Sequence, residues 1–584
     1  MTMAPTMGQT RAAVVTTSGW VAGTNGRRWR TTWQRALLSP ASGPHGQEDS
    51  AFRGTVLFLP PLGDELNHTR PLMAAAARAL AATGWTVQCT DPYGTGDSDG
   101  DFADASLANW AEDFAADAAE AATRGPWTLW AARQGSLLLP ALWQALQRRG
   151  VPLPLGLASW NPVVQGSAVV TQWLRLAALG SAGSLVGKGV ESLRRQLAAG
   201  RPVDCAGYLL SAALANELET VPQLPCPVVA REWDAVASGA RRFWLPAETD
   251  TDTTLVPPLV EWLNSLVPKS DSAQRQCANT YGLMNDSEGA GKYPKSGEAE
   301  ATPPWLLELP VGGSARCGVL FVVGGPQYRV GAHRQFVRWS RRFNAAGYAT
   351  CRFDRAGTGD APGRRAALVD CGAELRATLE SAVATTGVSR WVVFGLCDGA
   401  TLALLHLVNH PAVAGLVALN PWTPVAASAQ SQALVREYYG RQWFSSAFWG
   451  RLLRGEVNVA AALREWWQHR KVARGTSERS NVDLSTREWG SAMPGLDTAE
   501  DGLSKALLTK AMACAVPVLW GLSGNDRTAA EFRAMVAGSE PWQAVLGRAE
   551  ATRLELPEAD HTLSKTTDHE QFGEAVLAWL TRVL

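Results

Sequence analysis

Short apolar runs ending in Gly, Pro or Asp alternate along the chain with longer Ala- and Leu-rich stretches of helical period. In the first half, positions 55–59, 86–90, 127–131 and 155–158 have the length and content of buried strands. Positions 74–82 and 110–122 are Ala-rich helix formers placed to cross between them. Uninterrupted apolar strands separated by helices predict a mostly parallel sheet flanked by helices on both faces. The second half has the same layout, with strands expected at 318–323, 349–353, 391–394, 415–419, 516–521 and 552–556.

The two halves are copies of one unit. Val56-Leu57-Phe58, Gly84, Asp91 and Gly94-Thr95-Gly96-Asp97 recur as Val319-Leu320-Phe321, Gly347, Asp354 and Gly357-Thr358-Gly359-Asp360, each pair 263 positions apart. So long a period indicates duplicated domains rather than a solenoid. The expected organisation is a disordered N-terminus (1–18), a first domain (19–267), a flexible linker (268–304) and a second domain (305–584). The linker assignment rests on a shift to Ser, Gly, Lys, Glu, Asn and Pro. An insertion at about 421–513, rich in Trp, Tyr, Phe and Arg, is placed to form a lid over a site in the second domain.

Composition narrows the function classes. The chain has 584 residues, and its 54 Lys and Arg balance 54 Asp and Glu, leaving no global field to hold a nucleic acid. Nine cysteines without a CxxC pair fit a reducing compartment better than a disulfide framework or a zinc site. No stretch has the apolar length of a membrane span, and residues 1–17 lack the layout of a secretory signal. A soluble, cytoplasmic protein is expected. The 25 tryptophans are expected in core and lid packing. Gly94-Thr95-Gly96 and its counterpart lack the full dinucleotide fingerprint and no phosphate-binding loop is present, so no cofactor and no metal are expected.

Candidate chemistry separates the halves. Gly395-Leu396-Cys397-Asp398-Gly399 follows an apolar strand and precedes a helix former series, the context of a nucleophile elbow, where small residues two positions either side of the nucleophile allow a sharp turn. Asp526 and His561 each follow a later expected strand, in the order nucleophile, acid, histidine. These residues predict a Cys397–His561–Asp526 triad, with His561 as base and Asp526 orienting it. The bland alternatives are a buried small thiol, a helix cap for Asp526 and a surface loop for His561. His569 is a second candidate base; His406 and His410 are read as structural. One oxyanion donor is expected from the backbone N–H of Asp398. The other is expected from the loop Gly324-Gly325-Pro326-Gln327, where Pro326 has no N–H and Gln327 would substitute. Arg329, His333 and Arg334 are candidate ligands for a substrate carboxylate or phosphate, or else partners of surface acids. In the first half the elbow reads Ala131-Ala132-Arg133-Gln134-Gly135 and no histidine lies between Gly135 and the linker, so that half cannot assemble a triad. Arg133 either binds an anion or pairs with Asp64, Glu65 or Asp97.

The run from Phe321 through Gly325-Pro326-Gln327-Tyr328-Arg329 to Phe336 resembles the opening of the first exosortase A system-associated hydrolase family. Gly395-Leu396-Cys397-Asp398, Asn420-Pro421-Trp422 and Ala559-Asp560-His561-Thr562 are similar to its later landmarks. The run from Leu59-Pro60-Pro61-Leu62-Gly63-Asp64 to Arg70, with Tyr93-Gly94-Thr95-Gly96-Asp97-Ser98, is similar to the second hydrolase of that system. The resemblance implies a fusion of two α/β-hydrolase domains, the first degenerate. It also implies a setting in bacterial exopolysaccharide machinery and a small-molecule or saccharide acyl substrate. The expected activity is ester or thioester hydrolysis, or acyl transfer, through Cys397. Cys-Asp-His arrangements in dienelactone hydrolases keep small lactones among the candidate substrates. The competing expectation is a binding or scaffold protein built from two inactive hydrolase folds, with the domains meeting at an intramolecular interface in either case.

Overall fold

A computed structural model describes residues 14–36, 52–180, 189–245, 251–267, 305–423 and 500–584. The expected linker and most of the expected lid lie outside these residues. The first domain contains β1 (Val14–Val21), β2 (Arg28–Arg35), β3 (Gly54–Leu59), β4 (Trp85–Thr90), β5 (Trp127–Ala132) and β6 (Leu157–Trp160). A short hairpin, β7 (Val203–Cys205) and β8 (Tyr208–Leu210), precedes β9 (Ala230–Trp233). The main sheet has the order β1-β2-β4-β3-β5-β6-β9. It is parallel from β4 to β9, and the β1-β2 hairpin runs antiparallel on its edge.

The second domain repeats the plan with β10 (Trp305–Glu308), β11 (Gly318–Val322), β12 (Ala349–Phe353), β13 (Trp391–Leu396), β14 (Val413–Leu419), β15 (Val518–Ser523) and β16 (Ala551–Leu556). Their order is β10-β12-β11-β13-β14-β15-β16, with only β10 antiparallel. The sheets differ at their ends. Among the described residues the first ends at β9, the counterpart of β15, with no strand in the place of β16, after which His561 follows.

Strand alternation divides each core into two layers. Leu57 and Leu59 point to one face of the first sheet, Val56 and Phe58 to the other. Leu320 and Val322 are likewise separated from Val319 and Phe321. Tryptophans fill these layers, with Trp33, Trp85, Trp130, Trp160, Trp339, Trp391 and Trp520 fully buried. The end of the expected lid is part of this core: helix Glu500–Ala513 buries Leu503, Leu507 and Ala511 beside Leu404. The N-terminus also differs from expectation, because residues 14–18 belong to β1. Charge hid the hairpin. Arg28 and Arg30 of β2 are buried against Asp117 at 2.8 and 2.7 Å, so a run that reads as polar is an internal strand.

The domains meet through the repeated Gly-Thr-Gly-Asp turn. In each copy the last Asp donates its backbone N–H to the Asp six positions earlier, Asp97 to Asp91 and Asp360 to Asp354, both at 3.0 Å. Gly96 and Gly359 have φ of 48° and 49°, and a Cβ there would strike those same carboxylates. The turn thereby aims Asp97 and Asp360 across the boundary. Arg329 bonds Asp354 of its own domain at 2.6 Å and Asp97 of the other at 2.8 Å. Arg70 bonds Asp91 at 2.6 Å and Asp360 at 2.7 Å. Arg352 also pairs with Asp97, whose carboxyl is held below its usual range because Arg329 and Arg352 outweigh the effect of burial. Burial pushes Asp354 up to about 6 despite Arg329.

Removing one partner from so buried an array leaves uncompensated charge, at a cost of about 3–5 kcal/mol. Arg329→Met is expected to lower the stability from guanidinium titration by about that amount, and the two domains are expected to unfold in one transition in the wild type.

Candidate active site

The elbow forms where β13 turns into helix Asp398–His406. Cys397 sits at φ 57°, ψ −126°, a conformation side chains rarely adopt. Two glycines create the clearance. A Cβ on Gly395 would lie 2.5 Å from Ala400, and one on Gly399 would lie 2.2 Å from the Val322 carbonyl. The strain is held by tertiary bonds: Cys397 N–H donates to Leu419 O at 3.0 Å, and Trp422 N–H donates to Cys397 O at 3.2 Å.

The structure brings Asp526 and His561 to the same end of the sheet, on the loops after β15 and β16. His561 Nδ1 lies 2.9 Å from Asp526 Oδ1, and the Cys397 thiol is the other group whose charge acts on its ring. Asp526 also caps helix Arg527–Ala537, accepting from Thr528 N–H at 3.2 Å and Ala529 N–H at 2.9 Å. Its two roles coexist, since one carboxylate both ends the loop and fixes the ring. Burial would lower the His561 pKa, but Asp526 and Cys397 outweigh it and hold the imidazole well above its usual value. Burial raises the Cys397 thiol and His561 opposes the rise. Asp526 and Cys397 thus both favour the protonated imidazole, and His561 in turn favours the thiolate.

Other residues support this arrangement in ways their sequence motifs did not indicate. Asn420, at φ 45°, donates to the His561 carbonyl at 2.9 Å and to Ser523 Oγ at 2.9 Å. Arg355 donates to Gly325 O at 2.7 Å and lies 3.6 Å from Asp398. The Asp398 carboxylate in turn accepts from Gly325 N–H at 2.5 Å. This commits the amide of the glycine just before Pro326. The backbone N–H of Asp398 opens its helix and so has no intrahelical partner. Gln327 is half-buried, and its Oε1 has no hydrogen-bond partner among the described residues.

Arg329, His333 and Arg334, expected as substrate ligands, are placed elsewhere. All three are buried, and their side chains are bonded within the protein. Arg329 joins the interdomain ion pairs. Arg334 donates to the carbonyls of Gly94, Gly96, Ser98 and Gly100 in the first domain. His333 Nε2 reaches Thr562 O at 3.0 Å. A guanidinium encircled by carbonyls and carboxylates has no donor geometry left for an incoming anion.

The first domain keeps the elbow and fills it differently. Arg133 takes the nucleophile position at φ 50°, and Gly135 again has no room for a Cβ, 2.3 Å from Leu59 O. The Arg133 guanidinium pairs with Glu65 at 2.8 Å and lies 4.1 Å over the Trp244 ring. It is an internal bond rather than an anion receptor. Among the described residues no group of His, Cys, Asp and Glu could hold a metal ion, and no helix is long and apolar enough to cross a membrane.

His569, the second candidate base, packs face to face on Trp339 at 4.5 Å with Nε2 on the Gln335 carbonyl. Burial and the nearby Arg338 push its pKa down to about 2. The folded protein therefore refuses a proton that the unfolded chain accepts below about pH 6.5. Stability from this residue is present above that pH and is lost as pH falls, by about 1.4 kcal/mol per unit at most. Urea titrations from pH 7 to 5 are expected to show a smaller acid loss in His569→Gln than in wild type.

Residues 317–530 match the family model Hydrolase_4, described as serine aminopeptidase, S33. No curated protein sequence matches the chain. Among solved structures, an esterase of Pyrococcus furiosus is similar at 14% identity, with 50% of this chain and 92% of that chain covered and a TM-score of 0.31. A thermophilic esterase from Thermogutta terrifontis is similar at 17% identity, covering 48% and 94%, with a TM-score of 0.28. A proline iminopeptidase-related protein from Thermus thermophilus is similar at 19% identity, covering 49% and 97%, with a TM-score of 0.29. The two sheets and the matched family describe an α/β-hydrolase fold.

Proposed function

We propose that the second domain is a thiol-dependent acyl hydrolase acting on ester or thioester substrates, and that the first is its non-catalytic partner. One observation carries this reading: Cys397 on its strained elbow, His561 and Asp526 gather at the ends of three different strands, with His561 Nδ1 2.9 Å from Asp526 Oδ1 and the Cys397 thiol interacting electrostatically with the same ring. The first domain's Arg133, already paired with Glu65, supports the assignment of chemistry to one half.

In the proposed reaction His561 takes the Cys397 proton while the sulfur forms a bond to the acyl carbon, and the carbonyl pair moves to oxygen. The Asp398 N–H stabilises that oxyanion, with the Gln327 amide proposed as second donor in place of Pro326. Collapse breaks the bond to the leaving alkoxide or thiolate, which takes the proton from His561. Water, deprotonated by His561, then attacks the thioester and releases the acid and the Cys397 thiol. An alcohol in place of water would give acyl transfer by the same steps. The setting in exosortase and exopolysaccharide systems, and a saccharide acyl substrate, rest on sequence resemblance. A reducing compartment, the cytoplasm, suits a site that needs a free thiol.

With p-nitrophenyl esters of graded chain length, Cys397→Ala and His561→Ala are each expected to lower kcat by about 10³-fold or more. Asp526→Asn is expected to lower it about 10²- to 10⁴-fold. An acyl probe should label Cys397 in wild type and fail to do so in His561→Ala. Equal labelling of both proteins would instead support a scaffold with an incidental thiol.

A further inference from the structure

The loop that carries His561 is held from outside its own domain. It runs from Asp560 to the start of helix Thr566–Val583, and Leu563 within it takes a strained φ of 53°. Asp204, in the β7-β8 hairpin of the first domain, accepts from both Thr566 N–H at 3.0 Å and Thr566 Oγ1 at 2.9 Å. It therefore caps the helix that ends the histidine loop. Its other oxygen accepts from Gly207 N–H at 2.7 Å, which closes the hairpin turn.

A second contact acts one residue from His561. The Thr562 carbonyl is bonded to His333, whose backbone stands at φ 41° and is followed by Arg334 at φ 61°. Two successive left-handed residues other than Gly persist only where their surroundings over-determine them. The first domain supplies those surroundings. Asp64 accepts from His333 N–H at 3.1 Å, and Arg334 is ringed by the carbonyls of the Gly94 turn. Gly207, at φ 89°, lies against the His333 ring, where a Cβ would come within 2.4 Å.

We propose that the first domain is a positioning element for the catalytic histidine of the second, with Asp204 fixing the end of its loop and Asp64 and Gly207 fixing it through His333. The inference rests on the triad reading above and adds a task for the half that lost its own nucleophile. A unit whose described sheet ends without a counterpart of β16 then serves as the brace of its neighbour's histidine. Asp204 is a positioning residue; it touches neither thiol nor imidazole.

The test uses the full chain and the pH dependence of Cys397 alkylation by iodoacetamide, beside ester kinetics. In wild type the alkylation midpoint reflects the Cys397–His561 pair, and His561→Ala sets the midpoint of an unassisted thiol. Asp204→Ala is expected to move the midpoint toward that of His561→Ala. It should also lower kcat about 10- to 100-fold with KM within about twofold, since misplacement of a reacting group by about 1 Å costs this much. Asp204→Asn, which keeps an acceptor oxygen, should recover most of the loss. Should Asp204→Ala not fold, Thr566→Pro removes both donors at a helix start where proline is tolerated, and leaves the first domain intact. A folded Asp204→Ala or Thr566→Pro protein with wild-type midpoint and kcat overturns the inference. A wild type whose midpoint equals that of His561→Ala overturns the triad reading instead.

Discussion

Arg329 and Asp97 are both excluded from water; Asp97 takes its counter-charge from Arg329 and Arg352 of the other domain, and Arg329 is shared between Asp97 and the acids Asp354 and Asp360 of its own. Arg70 and Asp360 also pair across the boundary, beside Asp91 and Arg329 of their own domains. This reciprocal burial makes the interface part of each domain's folding problem: neither unit can be separated without exposing or stranding charges that its own core does not neutralise. The repeated Gly-Thr-Gly-Asp turn is the device that produces it. Its second glycine lets the chain fold over one carboxylate so tightly that the next carboxylate must point outward, into the neighbour's guanidinium.

From that fixed docking the geometry of the site follows. The helix beginning at Asp64, the β7-β8 hairpin and the Gly94 turn all reach the segment between Gly331 and Arg334, and through it the histidine loop. On the other side of the thiol the supports belong to the second domain alone. Asn420 ties the histidine loop to β15 through Ser523, and Arg355 with Asp398 fastens the Gly325 loop beside the elbow. Cys397, His561 and Asp526 therefore stand between contacts reaching from the first domain and contacts within the second.

Duplication left both elbows with the same backbone. Cys397 and Arg133 share a left-handed φ, and Asn420 and Asn161 share theirs, each amide bracing the strand-end loop beside it. What diverged is the side chain at the turn and the number of strands beyond it. Arg133 fills the position equivalent to Cys397 with an ion pair to Glu65, and among the described residues its sheet has no strand beyond β9. The same backbone accommodates both residues because the elbow is held by glycine clearance and strand packing, neither of which needs a nucleophile.

The parallel strands, the duplication, the elbow at Cys397 and the order of Asp526 and His561 were all legible in the sequence. They depend on local rules: apolar runs for strands, small residues where backbones touch, loops after strand ends. The β1-β2 hairpin was not legible, because Arg28 and Arg30 are neutralised by Asp117 from a helix far along the chain. Arg329, His333 and Arg334 misled for the same reason, since a cluster of cations reads as a ligand site until the partner domain's carboxylates and carbonyls are seen around it. Asp204 carried no signal at all. Local sequence thus determined that Cys397, Asp526 and His561 stand at the ends of three different strands. Only the tertiary structure decided which charges were already spent on one another, because counter-charges meet through space at separations that no spacing pattern records.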